Sequence, residues 1–310
     1  MPSVDTTFAS LLQDVRRLDH GIALGDVLDE VIRCIPFRRI PECGESLIVP
    51  RVVGTGAISA LSGFRAVAAA PTAGTPTGSS VTFTLRRLDS ISQDDLILLL
   101  ANRQPNDVSR EDQRARHCSL VRALATALMQ GTDSDATGFL GWENMSSGGG
   151  TRTDVAFIGN TAVQTLETLL VIDDACKTGE LGGRATAYVT TARGRRNIEV
   201  AAYTLGVAPQ YRLVHGLTTE VPFVRGRPVL VASGLVDDTG EGQAPVYAVD
   251  FTHVFIVATT GSPSDFCLET QGVPLQATAN LGPYQWFHGA CIVRHPAALV
   301  RSLVTLTLSP

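Results

Sequence analysis

The 310-residue sequence predicts an α+β fold in which helices and strands occur in mixed blocks. Three observations lead to this prediction. Two strand-like segments flank a long excursion of small and polar residues at 54–80, a strongly periodic helix follows near residue 120, and short β-branched runs dominate the last third.

Composition indicates a large core and a surface with few charges. Hydrophobic residues make up 44% of the chain and charged residues 18%, against a usual charged fraction of about 25%. A weakly charged surface suits a protein that buries much of it against neighbours, although an ordinary loop-rich globular protein would have the same composition. The net charge of −5 argues against a dedicated nucleic-acid-binding surface, which normally carries a basic excess.

The sequence also gives expectations about compartment. The longest apolar runs are about five residues, far short of the roughly 20 that cross a bilayer, so no membrane partner is expected. The first 20 residues mix acidic and basic side chains, which is not typical of a signal peptide. The cysteines are scattered without a paired pattern, which favours a reduced, cytosolic protein; they are Cys34, Cys43, Cys118, Cys176, Cys267 and Cys291.

The N-terminal region is predicted to be helical. Apolar residues spaced by three and four indicate a helix over 5–33, and a second short helix is predicted over 24–34. Pro36 and Pro41 end this helical region.

The excursion at 54–80 contains one charged residue, Arg65, and few large apolar side chains. It therefore has too little apolar area to form a core of its own. A long loop inside a compact domain is normally functional or disordered. The strand-like ends add a third interpretation, a projecting two-stranded arm that becomes ordered by packing on another copy of the protein.

A helix of about 20 residues is predicted over 109–130. Ser109 and Asp112 have capping-box spacing, Asp112 and Arg116 are spaced to pair, and Gly131 stands where a C-terminal cap would be. The apolar positions that define its buried face are Val121, Leu124, Ala125 and Leu128. Before it, 91–102 is predicted as a short helix or strand.

The rest of the chain continues the mixed pattern. Asn160 or Thr161 is predicted to cap a helix that runs to about residue 176, followed by a strand at 186–191 and a helix at 192–203. Asp173 and Asp174 lie near the end of the first of these helices, where its dipole disfavours acids. A positive partner from a loop or another subunit would explain them, as would simple exposure. Further strands are predicted at 228–234, 245–251, 253–260, 284–295 and 303–308.

The residues give little support for catalysis or cofactor binding. Gly54 and Gly56 lack the third glycine and the helix of a dinucleotide site, and 148–150 lacks the Lys-Ser/Thr of a phosphate loop. His288 and Cys291 would face opposite sides of a strand, so they would not share a metal. The acids of 237–241 lack calcium-loop spacing and are interpreted as an exposed turn. No catalytic, cofactor-binding or metal-binding residue is predicted.

Two arginine pairs bracket the excursion, Arg38 with Arg39 and Arg86 with Arg87. They are placed to pair with acids on a neighbouring subunit, where charges at an interface rim add specificity more than affinity. A solvated hinge is the alternative interpretation.

The order of these parts resembles the major capsid proteins of tailed bacteriophages, which share the Hong Kong 97-like fold. The segment IPFRRIPECGESLIVPRV (35–52) resembles the lead-in to the extended E-loop of that family, and 53–85 resembles the loop itself. The capped helix 109–130 resembles the long spine helix, and GFLGWENMS (138–146) resembles the stretch after it. Four segments resemble the axial domain of that family: TLETLLVIDDAC (165–176), ATAYVTTARGRRNI (185–198), VRGRPVLVASGLVDD (224–238) and PVYAVDF (245–251). The segment YQWFHGACIVRHPAALVRSL (284–303) resembles the returning strand of its peripheral domain.

This resemblance implies a division of the chain. An N-terminal arm with helices would occupy 1–46, the E-loop 47–88, the peripheral domain 89–160 and 283–310, and the axial domain 161–282. It also implies inter-subunit contacts at the loop and its hinges, through Arg38, Arg39, Phe64, Arg65, Val67, Phe83, Arg86 and Arg87.

The implied function is a structural head protein without enzymatic activity, assembled from hexamers and pentamers into an icosahedral shell around double-stranded DNA that it does not read. The implied location is the virion, after assembly in the host bacterial cytoplasm. The implied partners are a separate scaffolding protein, a portal and a cement protein. The excursion has no lysine, so isopeptide cross-links between subunits are not expected.

Two alternatives remain at the level of sequence. Encapsulin shells share the same fold and hold enzymes rather than DNA, so a protein compartment is the first alternative. A cytosolic enzyme with an unrecognised site, in which the arm is a lid, is the second.

Overall fold

The computed structural model describes residues 29–41, 44–52, 78–91, 108–146, 152–176, 184–274 and 281–307. Within these ranges, four α-helices alternate with fourteen strands. The helices are α1 (Glu30–Cys34), α2 (Val108–Gln130), α3 (Ala162–Ala175) and α4 (Ala192–Thr204).

The strands form two large sheets and one hairpin. In chain order they are β1 (Phe37–Arg39), β2 (Ser46–Val52), β3 (Gly78–Thr84), β4 (Arg86–Ile91), β5 (Thr153–Asp154), β6 (Ala187–Thr190), β7 (Gln210–Leu213), β8 (Glu220–Val224), β9 (Arg227–Val231), β10 (Gln243–Val249), β11 (Val254–Ala258), β12 (Glu269–Pro274), β13 (Leu281–Val293) and β14 (Leu299–Thr305). Two 3-10 turns, Pro263–Asp265 and Pro296–Ala298, precede β12 and β14.

The larger sheet has seven strands in the order β5-β14-β10-β6-β9-β8-β7. All residues of β6 and nearly all of β10 are buried, because the sheet is covered on both faces. On one face α3 and α4 pack side by side. Their core cluster with the sheet consists mainly of Leu169, Ile172, Ile198, Val229, Val246 and Val300.

The second sheet has five strands. The path β1-β11-β13-β12 is joined by β4, which also pairs with β13. Helix α2 packs against β4 and β13, and the resulting core also receives residues from the opposite face of the seven-stranded sheet, such as Val189 and Tyr247. Both sheets therefore share one core around α2.

Helix α1 is short and is held in place by the carboxylates of Asp29 and Glu30 at its N-terminus. The Asp29 Oδ1 atom accepts hydrogen bonds from the backbone nitrogens of Val31 and Ile32, and its other oxygen accepts from the Ser233 hydroxyl at 2.9 Å. One guanidinium nitrogen of Arg195 donates to both carboxylate oxygens of Glu30, at 2.8 and 2.9 Å. These bonds attach the N-terminal segment to the seven-stranded sheet and to α4.

Several predicted elements are confirmed. Helix α2 covers the predicted range and ends at Gln130, directly before Gly131. A Cβ at Gly131 would lie 1.9 Å from the Phe139 carbonyl oxygen, so the close approach of the following turn requires glycine there. Helix α3 begins after Thr161, which forms a complete capping box with Gln164, and α4 follows β6 as predicted.

The acid near the end of α3 finds its partner within the chain. The Asp173 Oδ2 atom lies 3.0 Å from a guanidinium nitrogen of Arg227 on β9. From the sequence, a positive partner is one explanation for the acids at the end of this helix. For Asp173 that partner comes from a strand of the same subunit rather than from a loop or a neighbour.

Some strand predictions differ from the structure. The segment after the excursion is not one strand, because the chain leaves the hairpin at the buried Leu85 and continues as β4 in the five-stranded sheet. The last strand begins at Leu299 and ends at Thr305, earlier than predicted. Strands β7, β8 and β12 were not predicted. QYRL alternates but is only four residues long, and EVPFV and ETQGVP contain proline or glycine and do not alternate strictly.

Other predictions fall outside the described residues. They are the helix at 5–28, the loop at 53–77, the segment 92–102 and the side chains of Ser109 and Asp112.

Candidate assembly interface

The β2–β3 hairpin forms a two-stranded sheet of its own. Its strands pair in antiparallel register from Ser46 opposite Thr84 to Val52 opposite Gly78. Side chains alternate between its two faces: Val49 and Phe83 are buried in the core, whereas Ile48 is 64% exposed. The root of the hairpin is therefore anchored on one face and open on the other.

Arg86 fixes the base of this hairpin to the turn that follows α2. Its guanidinium lies 3.0 Å from the Asp133 carboxylate and 2.6 Å from the Asp135 carboxylate, and it donates to the Asp133 carbonyl oxygen at 2.6 Å. Thr84 also donates to Asp133, at 3.1 Å. The hydrogen bond that Arg86 donates to the Asp133 carboxylate is the main reason that the pKa of Arg86 is raised.

The other hinge arginines contact aromatic rings. The Arg87 guanidinium carbon lies 4.8 Å from the Trp286 ring centroid, and its Nε is 3.6 Å from Asp89. The Arg38 guanidinium carbon lies 3.9 Å from the Phe255 ring centroid, a distance at which cation–π attraction acts. Arg38 and Arg39 are both exposed on β1.

The eight predicted contact residues thus separate into groups. Arg38, Arg39 and Arg87 have exposed side chains, whereas Arg86 is paired with acids of its own subunit. Phe83 is only 4% exposed and packs inside its own subunit. Phe64, Arg65 and Val67 lie outside the described residues.

A cleft of about 380 Å³ lies between the hairpin base and α2. Leu88, Ala127, Phe139 and Phe287 contribute apolar lining, and Arg86 and Asp135 contribute charged side chains.

A polar network joins the turn after α2 to the seven-stranded sheet. Glu143 accepts a hydrogen bond from the Tyr247 hydroxyl at 2.6 Å and contacts Arg301 at 3.2 Å. Arg152 is buried, donates to the Trp142 and Glu143 carbonyl oxygens at 2.6 and 3.0 Å, and pairs with Asp154. Burial is the main cause that raises the pKa of Tyr247 well above its ordinary value, so the phenol stays protonated and donates.

Cys34, Cys176, Cys291 and His288 each lie among different neighbours. No cluster of three or more His, Cys, Asp or Glu side chains suited to a metal occurs among the residues that the structure describes. Burial raises the pKa of Cys34, Cys176 and Cys291 to about 12, so these thiols stay protonated near neutral pH. His288 contacts Thr259, whereas Cys291 lies 3.4 Å from the Trp142 indole nitrogen.

Within the described helices, none is long and apolar enough to cross a membrane.

Sequence reasoning missed the residues that anchor the hairpin and join the sheets. Asp133 and Asp135 follow Gly131, where α2 has ended. An acidic pair after a helix, together with a basic pair after a strand, is a signal that could have linked these two acids to Arg86. Glu143 lies in a segment that was noted for its resemblance alone. Its partners Tyr247 and Arg301 are more than 100 residues away in sequence, and spacing carries no information on such contacts.

No protein-family model matches the chain, and no curated protein matches it either.

Solved structures do match it over nearly its whole length. The encapsulin of the holo-SrpI complex from Synechococcus elongatus is 12% identical with a TM-score of 0.62, covering 89% of this chain and 86% of that one. The capsid of an empty GTA particle is 19% identical with a TM-score of 0.59, covering 90% of each chain. A structure from Gordonia phage Cozz is 12% identical with a TM-score of 0.52, covering 90% of this chain and 87% of that one.

The chain therefore has the fold of phage capsid and encapsulin shell proteins, in line with the resemblance in its sequence. At these identities the likeness concerns the fold, and function is a separate inference.

Proposed function

We propose that the protein is the major capsid protein of a tailed bacteriophage, a structural subunit that assembles into an icosahedral shell around double-stranded DNA. The observation that carries this proposal is the match of the whole fold, at 90% coverage of both chains, to a GTA particle capsid.

In this proposal each part of the chain has a place in the shell. The β2–β3 hairpin is the root of the E-loop at 47–88, and α2 is the spine helix of a peripheral domain that comprises 89–160 and 283–310. Strands β6 to β10 with α3 and α4 are the main part of the axial domain at 161–282, and β5 and β14 of the peripheral ranges complete their sheet. The N-terminal arm is 1–46.

The open face of the hairpin supports a contact with a neighbour. Arg86 holds the hairpin base against Asp133, so the arm leaves the subunit in a fixed direction, with Ile48 exposed for a partner. We assign Arg38, Arg39, Arg87 and the loop residues Phe64, Arg65 and Val67 to that inter-subunit contact. Arg86 and Phe83 contribute by orienting the hairpin.

The subunits would form hexamers and pentamers in the virion shell, after assembly in the host bacterial cytoplasm. Scaffolding and portal proteins are the partners that this role requires, and a cement protein is an optional one. Subunit contacts of head-to-tail type close into rings when the rotation between neighbours closes. Small contact energies repeated around and between rings would give a shell that withstands packed DNA.

A protein compartment is the second candidate, because the encapsulin match has a TM-score of 0.62. The two candidates differ in what the shell encloses. Expression of the chain alone and with its neighbouring phage genes, followed by size exclusion and electron microscopy, tests both. Shells that protect DNA from nuclease support the capsid, shells with co-purified cargo protein support the compartment, and a monomer or dimer under all conditions rejects both.

A further inference from the structure

Helices α3 and α4 each expose a continuous stripe on the side away from their core. On α3 the exposed positions recur at helical spacing, and they are Val163, Glu167, Leu170, Val171 and Asp174. On α4 they are Arg193, Arg196, Val200 and Tyr203. Positions spaced in this way lie on one face of a helix.

Both stripes are unusually apolar for exposed surface. Val163 is 57% exposed on α3, and Val200 and Tyr203 are 43% and 54% exposed on α4. The apolar surface continues beyond α4 through Leu205, Val207, Tyr211 and Leu213, which are all exposed. Contiguous exposed apolar surface rimmed by polar residues marks an interaction site.

The two stripes carry opposite charges. The α3 stripe contains only acids, Glu167 and Asp174, and the α4 stripe contains only bases, Arg193 and Arg196. Within the part of the chain that the structure describes, no ion pair or hydrogen bond involves the side chains of Glu167 or Arg196. Among the described residues, both charges are therefore open to a partner.

We propose that the α3 stripe of one subunit docks on the α4 stripe of the next, with Glu167 facing Arg196 across an apolar contact. The occupant is a second copy of this chain because the two stripes complement each other in charge and share an apolar centre. In the head-to-tail form of this contact, the α3 stripe of each subunit meets the α4 stripe of the next, and such contacts repeat around a ring. This inference rests on the proposed shell function and assigns one of its interfaces.

Opposite charges at an interface rim mainly exclude wrong arrangements, and like charges placed there are strongly unfavourable. Reversing one charge should therefore be more damaging than removing it. Reversing both should restore the attraction with the signs exchanged.

The test compares Glu167→Arg, Arg196→Glu and the double variant with the wild type, by the fraction of protein that sediments as shells. Each single variant brings like charges together at every junction, and we expect its shell fraction to fall about tenfold. The double variant should recover at least about half of the wild-type fraction. The control Glu241→Arg reverses an acid in the exposed turn before β10 and should assemble like the wild type.

Assembly of a mixture of the two single variants is a second readout. It returns only if both variant proteins are folded. In a ring that alternates the two variants, every junction again joins opposite charges, so rings of six should return, whereas rings of five do not alternate. Single variants that assemble normally, a double variant no better than the singles, or a mixture that gives no rings would each overturn the pairing. In those cases wild-type shells would still support the proposed function, which fails only if the wild type forms none.

Discussion

At the scale of single residues, the core is joined by polar side chains whose partners are within the same subunit. Glu143 receives the Tyr247 hydroxyl and contacts Arg301, and Arg152 satisfies two backbone carbonyl oxygens that would otherwise be buried without partners. Removing one member of such a network leaves the others desolvated and unpaired, which costs more than the bond itself contributes.

We expect Tyr247→Phe to lower the free energy of unfolding by about 1 kcal/mol, since it removes one hydrogen bond. Glu143→Ala should cost more, about 3 kcal/mol, because Arg301 and Tyr247 then lose their shared acceptor. Urea unfolding of the dissociated subunit measures both. Equal, small effects of the two variants would contradict the shared role of Glu143.

His288 gives the fold a predictable response to pH. Its pKa is lowered from the ordinary value of 6.5, first because burial disfavours the charged ring and second because Arg87 is nearby. The unfolded chain therefore binds a proton at a higher pH than the folded one does. Stability should be full above pH 7 and decrease as the pH falls through 6.5 towards the lowered folded pKa.

The variant His288→Gln should lack this contribution, so its free energy of unfolding should depend less on pH between 7 and 5 than that of the wild type. Denaturant unfolding at several pH values measures the difference. Identical slopes for the two proteins would show that His288 does not carry the effect.

At the scale of elements, the base of the hairpin is held by a charged hinge contact. Arg86, together with Thr84, connects it to the turn after α2, so Arg86→Ala should leave the core intact but loosen the hairpin. Backbone amides of β3 should exchange with solvent several-fold faster, as measured by hydrogen exchange. Arg87→Ala is the matched control, because Arg87 stacks on Trp286 of the five-stranded sheet; equal exchange in the two variants would argue against the role of Arg86.

Helix α3 should depend on its capping box. The Gln164 backbone nitrogen donates to the Thr161 hydroxyl at 3.2 Å, and the Gln164 side chain accepts from the Thr161 backbone nitrogen at 3.1 Å. Thr161→Ala should therefore cost about 1 kcal/mol in urea unfolding. Thr204→Ala removes an exposed threonine near the end of α4 and should change stability by less than about 0.5 kcal/mol; a reversed order would contradict the cap.

The elements differ in how far sequence could predict them. Periodicity located α2 and a capping residue located the start of α3, whereas strands β10 and β11 were found from continuous apolar runs that are buried in the structure. Strand β7 escaped because four alternating residues, all exposed, are too short a run to identify a strand. Contacts such as Arg86 with Asp133, and Glu143 with Tyr247, depend on how distant segments fold together, which local spacing does not encode.

At the scale of the whole molecule, two sheets share one core around α2, and the exposed features lie at its periphery. They are the open face of the hairpin, the arginines of β1 and the oppositely charged stripes of α3 and α4. A subunit with one core and several separate exposed apolar or charged surfaces is suited to a closed assembly, because each of these surfaces then contacts a neighbouring subunit.

The most direct test of the shell assignment is a cryo-electron microscopy reconstruction of the particles that the purified chain forms. We expect closed particles built from rings of this chain, in which the β2–β3 hairpin of each subunit reaches over the adjacent one. A chain that stays monomeric or dimeric with and without a scaffolding partner, or a reconstruction in which the hairpin contacts only its own subunit, would contradict the account.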